Sequence, residues 1–282
     1  MLLLTAFVWG FAFIFQSKAM DHVEPITLTC VRMFLGGAVL LPICFIMNKS
    51  LNSEVIHSTI KAGIVCGIVL GVASLIQQYG IANTSVEKSG FISALYIVIV
   101  PIFGILQGKR VNLFTWICII IALAGFYLLS FTSDLSISIG DLLVFIAAIV
   151  YSLHIIVIDK FNNNNCDGLL MSCIQFLTAG ILCFIPMLVF ESPSVSSLLD
   201  AKLDVLYMGL ISCGIGYTFQ VLGQKRTPPV RASLILCLES FFAAVGGFFI
   251  LHERLNPREI SGCILLMTSV ILINVFKAKA ES

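Results

Sequence analysis

Ten apolar stretches, joined by short polar connections, run along the chain at about residues 2–20, 25–47, 60–82, 86–107, 111–131, 140–158, 168–190, 203–223, 230–251 and 259–276. Each approaches the roughly 20 residues a helix needs to cross a hydrocarbon layer. Polar residues inside them recur at helical spacing, as in Ser89, Ser93 and Tyr96, or Tyr217, Gln220 and Gln224. The pattern predicts an all-α integral membrane protein of ten transmembrane helices, with no separate soluble domain.

The stretches repeat. Shifting by 144 residues lays Val86-Glu87-Lys88-Ser89 over Val230-Arg231-Ala232-Ser233, and Gly108-Lys109-Arg110-Val111 over His252-Glu253-Arg254-Leu255. A shift of about 142 lays Ala6-Phe7-Val8-Trp9 over Ala148-Ile149-Val150-Tyr151. The chain thus divides into a first unit over 1–132 and a second over 138–278, meeting at the polar break Ser130–Asp134. Each unit carries five spans, and an odd number forces the two into opposite orientation in the bilayer. Inverted repeats of this kind underlie alternating access in secondary transporters.

Composition strengthens the membrane assignment. Hydrophobic residues make up 59% of the chain and charged residues 11%, against about 25% charged in an ordinary soluble domain. A mean hydropathy of +1.06 exceeds what one soluble core could hide. The net charge of +1 carries no information about partners and gives no footing for nucleic acid. The distribution of charge is more informative. With the N-terminus placed in the cytoplasm, ten basic residues fall on the inner side: Lys49, Lys61, Lys109, Arg110, Lys160, Lys225, Arg226, Arg231, Lys277 and Lys279. Five fall outside (Lys18, Lys88, Lys202, Arg254 and Arg258), and Arg32 lies within the second span. The inside bias predicts a multi-pass protein of the cytoplasmic membrane with both termini cytoplasmic. The first stretch lacks a basic leader, and the repeat requires it as a helix, so it reads as a span rather than a signal peptide. It opens directly on apolar Met1-Leu2-Leu3-Leu4, which leaves room for preceding residues. The ten cysteines fall almost all in apolar segments, without metal or redox spacing, and read as small buried hydrophobes. No cofactor or metal is expected.

Particular residues carry a family resemblance over nearly the whole length. Ala6-Phe7-Val8-Trp9-Gly10, Arg32-Met33-Phe34-Leu35, and Leu238-Glu239-Ser240 followed by Leu251-His252-Glu253-Arg254-Leu255 resemble the helix-one, helix-two and helix-nine motifs of the EamA-type, ten-helix branch of the drug/metabolite transporter superfamily. Ser240 and His252 depart from the proline and glycine usual there, and Gly108-Lys109 replaces the acidic counterpart in the first unit. The resemblance implies solute transport, with members similar to exporters of amino acids, nucleobases and other metabolites. It does not name the solute.

The candidate site is a set of polar groups that have no reason to face lipid. Gln77 and Gln78 in the third span, Ser93 and Tyr96 in the fourth, and Tyr217 and Gln220 in the eighth should face one another near the pseudo-twofold axis. The ninth-span stripe Ser233, Cys237 and Ser240 corresponds to that of the fourth. Trp9 and its repeat-equivalent Tyr151, with Phe13 and Gln16 on the Trp9 face, and His154 one turn beyond Tyr151, extend the same space. Interhelical hydrogen bonding is the competing account of these groups. Glu239 sits near mid-membrane, where an ionised carboxylate is expensive; it either carries a coupling proton or bonds neighbouring helices. Arg32 either pins helices together or binds a solute carboxylate. The glycine strip Gly63, Gly67, Gly71 provides close helix packing, with dimerisation a weaker alternative to a monomeric unit.

Other classes fit less well. His252-Glu253 begins like a zinc-protease motif, but Asn256 stands where the second histidine would be required. Gly140-Asp141 lacks the glycine at 138 of an intramembrane aspartyl site, and no Gly-x-Ser-x-Gly occurs. An enzyme is therefore not expected. A passive channel stays open, since a polar stripe can line a pore. Phosphorylated cargo would need several buried cations, and only Arg32 lies deep, so neutral or zwitterionic solutes such as amino acids fit better than sugar phosphates or nucleotide sugars.

Overall fold

The computed structural model describes residues 1–47, 51–84, 86–130, 138–162, 166–250 and 256–278. The polar break around 131–137, the asparagines 163–165, and the 251–255 motif with its His252-Glu253 pair lie outside the described residues. The first unit comprises α1 (Leu2–Met20), α2 (Pro25–Met47), α3 (Ser53–Ile81), α4 (Val86–Ala94), α5 (Tyr96–Leu106) and α6 (Leu113–Ser130). The second comprises α7 (Ile139–Asn162), α8 (Gly168–Phe190), α9 (Val195–Asp200), α10 (Lys202–Leu206), a π-helical segment (Tyr207–Tyr217), α11 (Thr218–Gln224), α12 (Pro229–Leu236), α13 (Leu238–Ile250) and α14 (Pro257–Ala278). Counting Lys88–Leu106, Lys202–Gln224 and Pro229–Ile250 as single spans, the described residues hold nine helices long and apolar enough to cross a membrane, plus the shorter Leu113–Leu129. That gives ten spans, five in each unit.

Two spans are interrupted near their middle. The fourth breaks at Leu95 (φ −59°, ψ −12°) and the ninth at Cys237 (φ −61°, ψ −15°), nearly the same geometry at places two residues out of step in the 144-residue repeat. The eighth span opens into π-helix over Tyr207–Tyr217. Departures of this kind concentrate at functional positions in membrane helices, because freed backbone groups are tolerated only where protein or a cavity meets them.

The helix contacts respect the repeat. α2 packs on α8 and α6 on α14, each pairing a span with its own counterpart. α3 packs on α7 just as the π-helical span packs on α1, and α1 meets α12 and α13 as α7 meets α4 and α5. The two units therefore interlock across a pseudo-twofold axis. Glycines set the closest approaches. A β-carbon at Gly67 would lie 2.6 Å from Gln175 O and Thr178 Cβ, so the Gly63–Gly71 strip of α3 lies flat against α8 of the same chain. Gly209 and Leu35 repeat this between the π segment and α2, where an added β-carbon would come within 2.5 Å of Leu35 Cβ. All ten cysteines are buried free thiols.

Candidate functional site

A small cavity of about 80 Å³ lies between the units at the level of the two helix breaks. Ser93 and Tyr96 flank the Leu95 break, and Leu236 and Glu239 flank the Cys237 break; all four line the cavity. Trp9 from α1, Arg32 from α2, Gln77 from α3, Tyr151 and His154 from α7, and Tyr217 and Gln220 around the end of the π segment complete the set expected from sequence. Gln78 does not belong to it. Its amide faces α1, accepting from Gln16 Nε2 at 2.7 Å and donating to Met20 Sδ at 2.8 Å. One residue along a helix turns the side chain by about 100°, and here that turn directs Gln78 to α1 while Gln77 faces the cavity. Gln16 takes the lining position instead, with Phe13, Met208 and Ser212.

Five stripe positions also depart from expectation, Ser89 and Ser240 among them, since neither lines the cavity. Ser233 Oγ donates to Val230 O and Cys237 Sγ to Leu234 O, both within their own span, while Gln224 Nε2 donates to Ile155 O. Ser233, Cys237 and Gln224 likewise stay outside the cavity lining. In the ninth span Leu236 and Glu239 face the cavity in place of the stripe.

The cavity wall is partly tied and partly free. Tyr151 OH donates to Gln77 Oε1 at 3.1 Å, lies 3.0 Å from Ser74 Oγ, and Gln77 Nε2 donates to Ser93 Oγ at 3.1 Å. Trp9 Nε1 donates to Ser212 O at 3.2 Å, and its ring lies against Tyr217 with centroids 4.5 Å apart. His154 lines the cavity, yet its Nε2 is directed 3.2 Å away to Gln175 Oε1 on α8. Tyr96 OH approaches Glu239 Oε1 at a long 3.4 Å.

Against this wall stand polar groups whose bonding is incomplete. Arg32 is 5% exposed, its Nε is buried with no hydrogen-bond partner, and no ion pair holds it among the described residues. Gln220 Oε1 is likewise buried and unpartnered. Glu239, 9% exposed, has no ion pair among the described residues. Leaving a buried polar group unsatisfied costs about 1–3 kcal/mol, and more for a charged one. Arg32 and the Glu239 carboxyl thus line one cavity but do not bond each other, which leaves both available to a third body.

The profile of the EamA-like transporter family matches residues 1–131 and again 138–275. The chain belongs to that family. Its relatives include an uncharacterized transporter of Archaeoglobus fulgidus, 26% identical over 275 residues, covering 97% of this chain and 84% of the relative. The uncharacterized transporter YoaV of Bacillus subtilis is 22% identical, covering 94% and 92%, and an uncharacterized transporter of Clostridium kluyveri is 24% identical, covering 91% and 85%. A solved crystal structure superposes with a TM-score of 0.80 at 16% identity, covering 100% of this chain and 98% of that one, a likeness of fold alone. This EamA-like protein is a membrane transporter and not an enzyme. The fourth- and ninth-span breaks, the π segment and Ser212 were beyond sequence reasoning. Gln16 carried a signal, its place one turn from Phe13 on the Trp9 face.

Proposed function

We propose that this transporter is an alternating-access carrier of small zwitterionic or neutral polar metabolites, amino acids foremost, working in the direction of export. The observation that carries the reading is that Arg32 and the Glu239 carboxyl line one central cavity without pairing with each other. A solute carboxylate would meet the Arg32 guanidinium, which suits a planar two-oxygen anion. Its ammonium group would meet Glu239, with Gln77, Gln220 and the Tyr96 hydroxyl supplying neutral hydrogen bonds and the Trp9–Tyr217 pair an apolar wall. A cavity of about 80 Å³ suits a solute of a few heavy atoms or requires widening for a larger one. A nucleotide sugar fits poorly on both size and charge.

The functional unit is one chain, because both inverted units are already present. It resides in the cytoplasmic membrane with both termini inside, supported by the ten-to-five distribution of basic residues. The test is solute competition in proteoliposomes. An amino acid should compete for uptake, while its amide, lacking the carboxylate, and its N-acetyl derivative, lacking the ammonium, should compete at least tenfold more weakly, the loss expected when one charge-assisted contact worth about 1.4 kcal/mol is removed. Arg32→Gln should erase the discrimination against the amide alone. Equal competition by all three compounds would contradict the zwitterion reading.

A further inference from the structure

A second, larger cavity of about 320 Å³ opens at the end of the bundle where α5 and α11 finish and α6 and α12 begin. It shares no lining residue with the central cavity. Three cations reach it from separate stretches of chain: Lys109 and Arg110 after α5, and Arg231 in the first turn of α12. No carboxylate is among its lining residues. Asp159 of α7 stands outside the lining, 3.7 Å from Lys109 Nζ, and offsets part of this charge.

The turn that delivers two of these cations is built for the purpose by sequence. Gly108 adopts φ +81°, a left-handed conformation that costs an L side chain about 1–2 kcal/mol. It lets Lys109 N–H donate to Gly104 O at 2.9 Å and Gly108 N–H to Ile105 O at 2.8 Å, closing the C-terminus of α5. The chain then folds back so that residues 109–112 line the cavity. Asn112 caps α6 by accepting from Thr115 N at 2.8 Å, which turns the positive end of that helix dipole toward the same space. Arg231 stands in the first turn of α12, where a cation opposes the helix dipole. The floor is aliphatic, from Val100, Ile156 and Ile273.

We infer that this cavity is a binding site for the phosphate group of a net-anionic compound, one with no cation of its own to neutralise it, held by Lys109, Arg110 and Arg231 over an apolar floor. Guanidinium and ammonium groups converging from separate stretches of chain match a multi-oxygen anion better than a single-point one. Anionic lipid headgroups and soluble phosphorylated compounds present the same group, and a basic pocket at helix ends near the membrane surface is open to both. The site is separate from the central cavity and independent of the identity of the transported solute.

The full-length protein in detergent separates these sources by its thermal unfolding. Phosphatidylglycerol should raise the melting temperature saturably and phosphatidylcholine should not, if the occupant is a lipid. Inorganic phosphate should do so if the occupant is soluble. Lys109→Gln/Arg110→Gln, in an exposed turn outside the core, should weaken the apparent affinity of the effective probe roughly tenfold, and Arg231→Gln should act alike. Lys225→Gln/Arg226→Gln, at the same end but outside the cavity lining, should leave it unchanged. Equal effects of phosphatidylglycerol and phosphatidylcholine with no effect of phosphate would overturn the inference. So would an affinity that falls as much in the Lys225/Arg226 variant as in the Lys109/Arg110 variant.

Discussion

Glu191, just past the end of α8, closes the chain against itself across the pseudo-twofold axis. Its carboxylate accepts from Ile26 N at 2.7 Å, Thr27 N at 2.6 Å and Thr27 Oγ1 at 2.7 Å, thereby capping α2 from a distant element. Glu24 returns the contact, accepting from Ser192 N at 2.9 Å. Glu191→Ala deletes three bonds and leaves two helix N–H groups at the start of α2 without their acceptor. A hydrogen bond to a charged group contributes about 1.5–3 kcal/mol net, but these groups are partly open to water, which can replace the carboxylate. A total of about 2–4 kcal/mol is therefore expected. For a protein of this size that corresponds to a fall of roughly 5–10 °C in melting temperature, at about 2–3 °C per kcal/mol. Glu191→Gln keeps one carbonyl oxygen and should lose about half as much. The assay is thermal unfolding of purified protein followed by intrinsic fluorescence. A Glu191→Ala protein melting within about 1 °C of the parent, less than half a kcal/mol by the same conversion, would refute the assignment of this clasp as a structural tie.

Gly67→Ala places a β-carbon 2.6 Å from Gln175 O, so α3 and α8 must part; overpacking of this kind costs about 1–3 kcal/mol, read as a lower melting temperature. Gly90→Ala, with nothing within 4 Å of the added carbon, should be neutral in the same assay. Glu239→Gln retains the shape of a protonated carboxyl, so if Glu239 carries the coupling proton this variant keeps solute exchange and loses accumulation driven by a pH gradient. If Glu239 is structural, the Gln variant should be silent under that gradient and Glu239→Ala should reduce folded protein. Reporter fusions after Ala280 and near Ser194 should report cytoplasm and exterior respectively; the same side for both would defeat the topology.

The spans and their repeat were legible because hydrophobicity over about 20 residues is a strong local signal and the 144-residue shift superposes motif on motif. The site was legible wherever a polar residue stood alone in an apolar helix, as with Arg32 and Glu239. It was not legible where neighbours competed. Gln77 and Gln78 are chemically equal, and only the bonds of Gln78 to Gln16 and Met20 of α1 select which one turns inward. The interruptions at Leu95 and Cys237 carry neither Pro nor Gly at the break itself, so nothing local announces them. In the ninth span it is Leu236 and Glu239, and not the stripe Ser233, Cys237, Ser240, that face the cavity. The π segment follows the close approach of Gly209, Gly214 and Gly216 to Leu35, Val39 and Trp9, a tertiary circumstance that helical periodicity does not encode.

The carrier mechanism is tested most directly by counterflow. Proteoliposomes preloaded with an unlabelled amino acid should accumulate the labelled one transiently, with saturation, as the proposed mechanism requires if one central cavity faces one side at a time. A flux that rises linearly with concentration and shows no overshoot under the same preload would contradict alternating access and identify a passive pore.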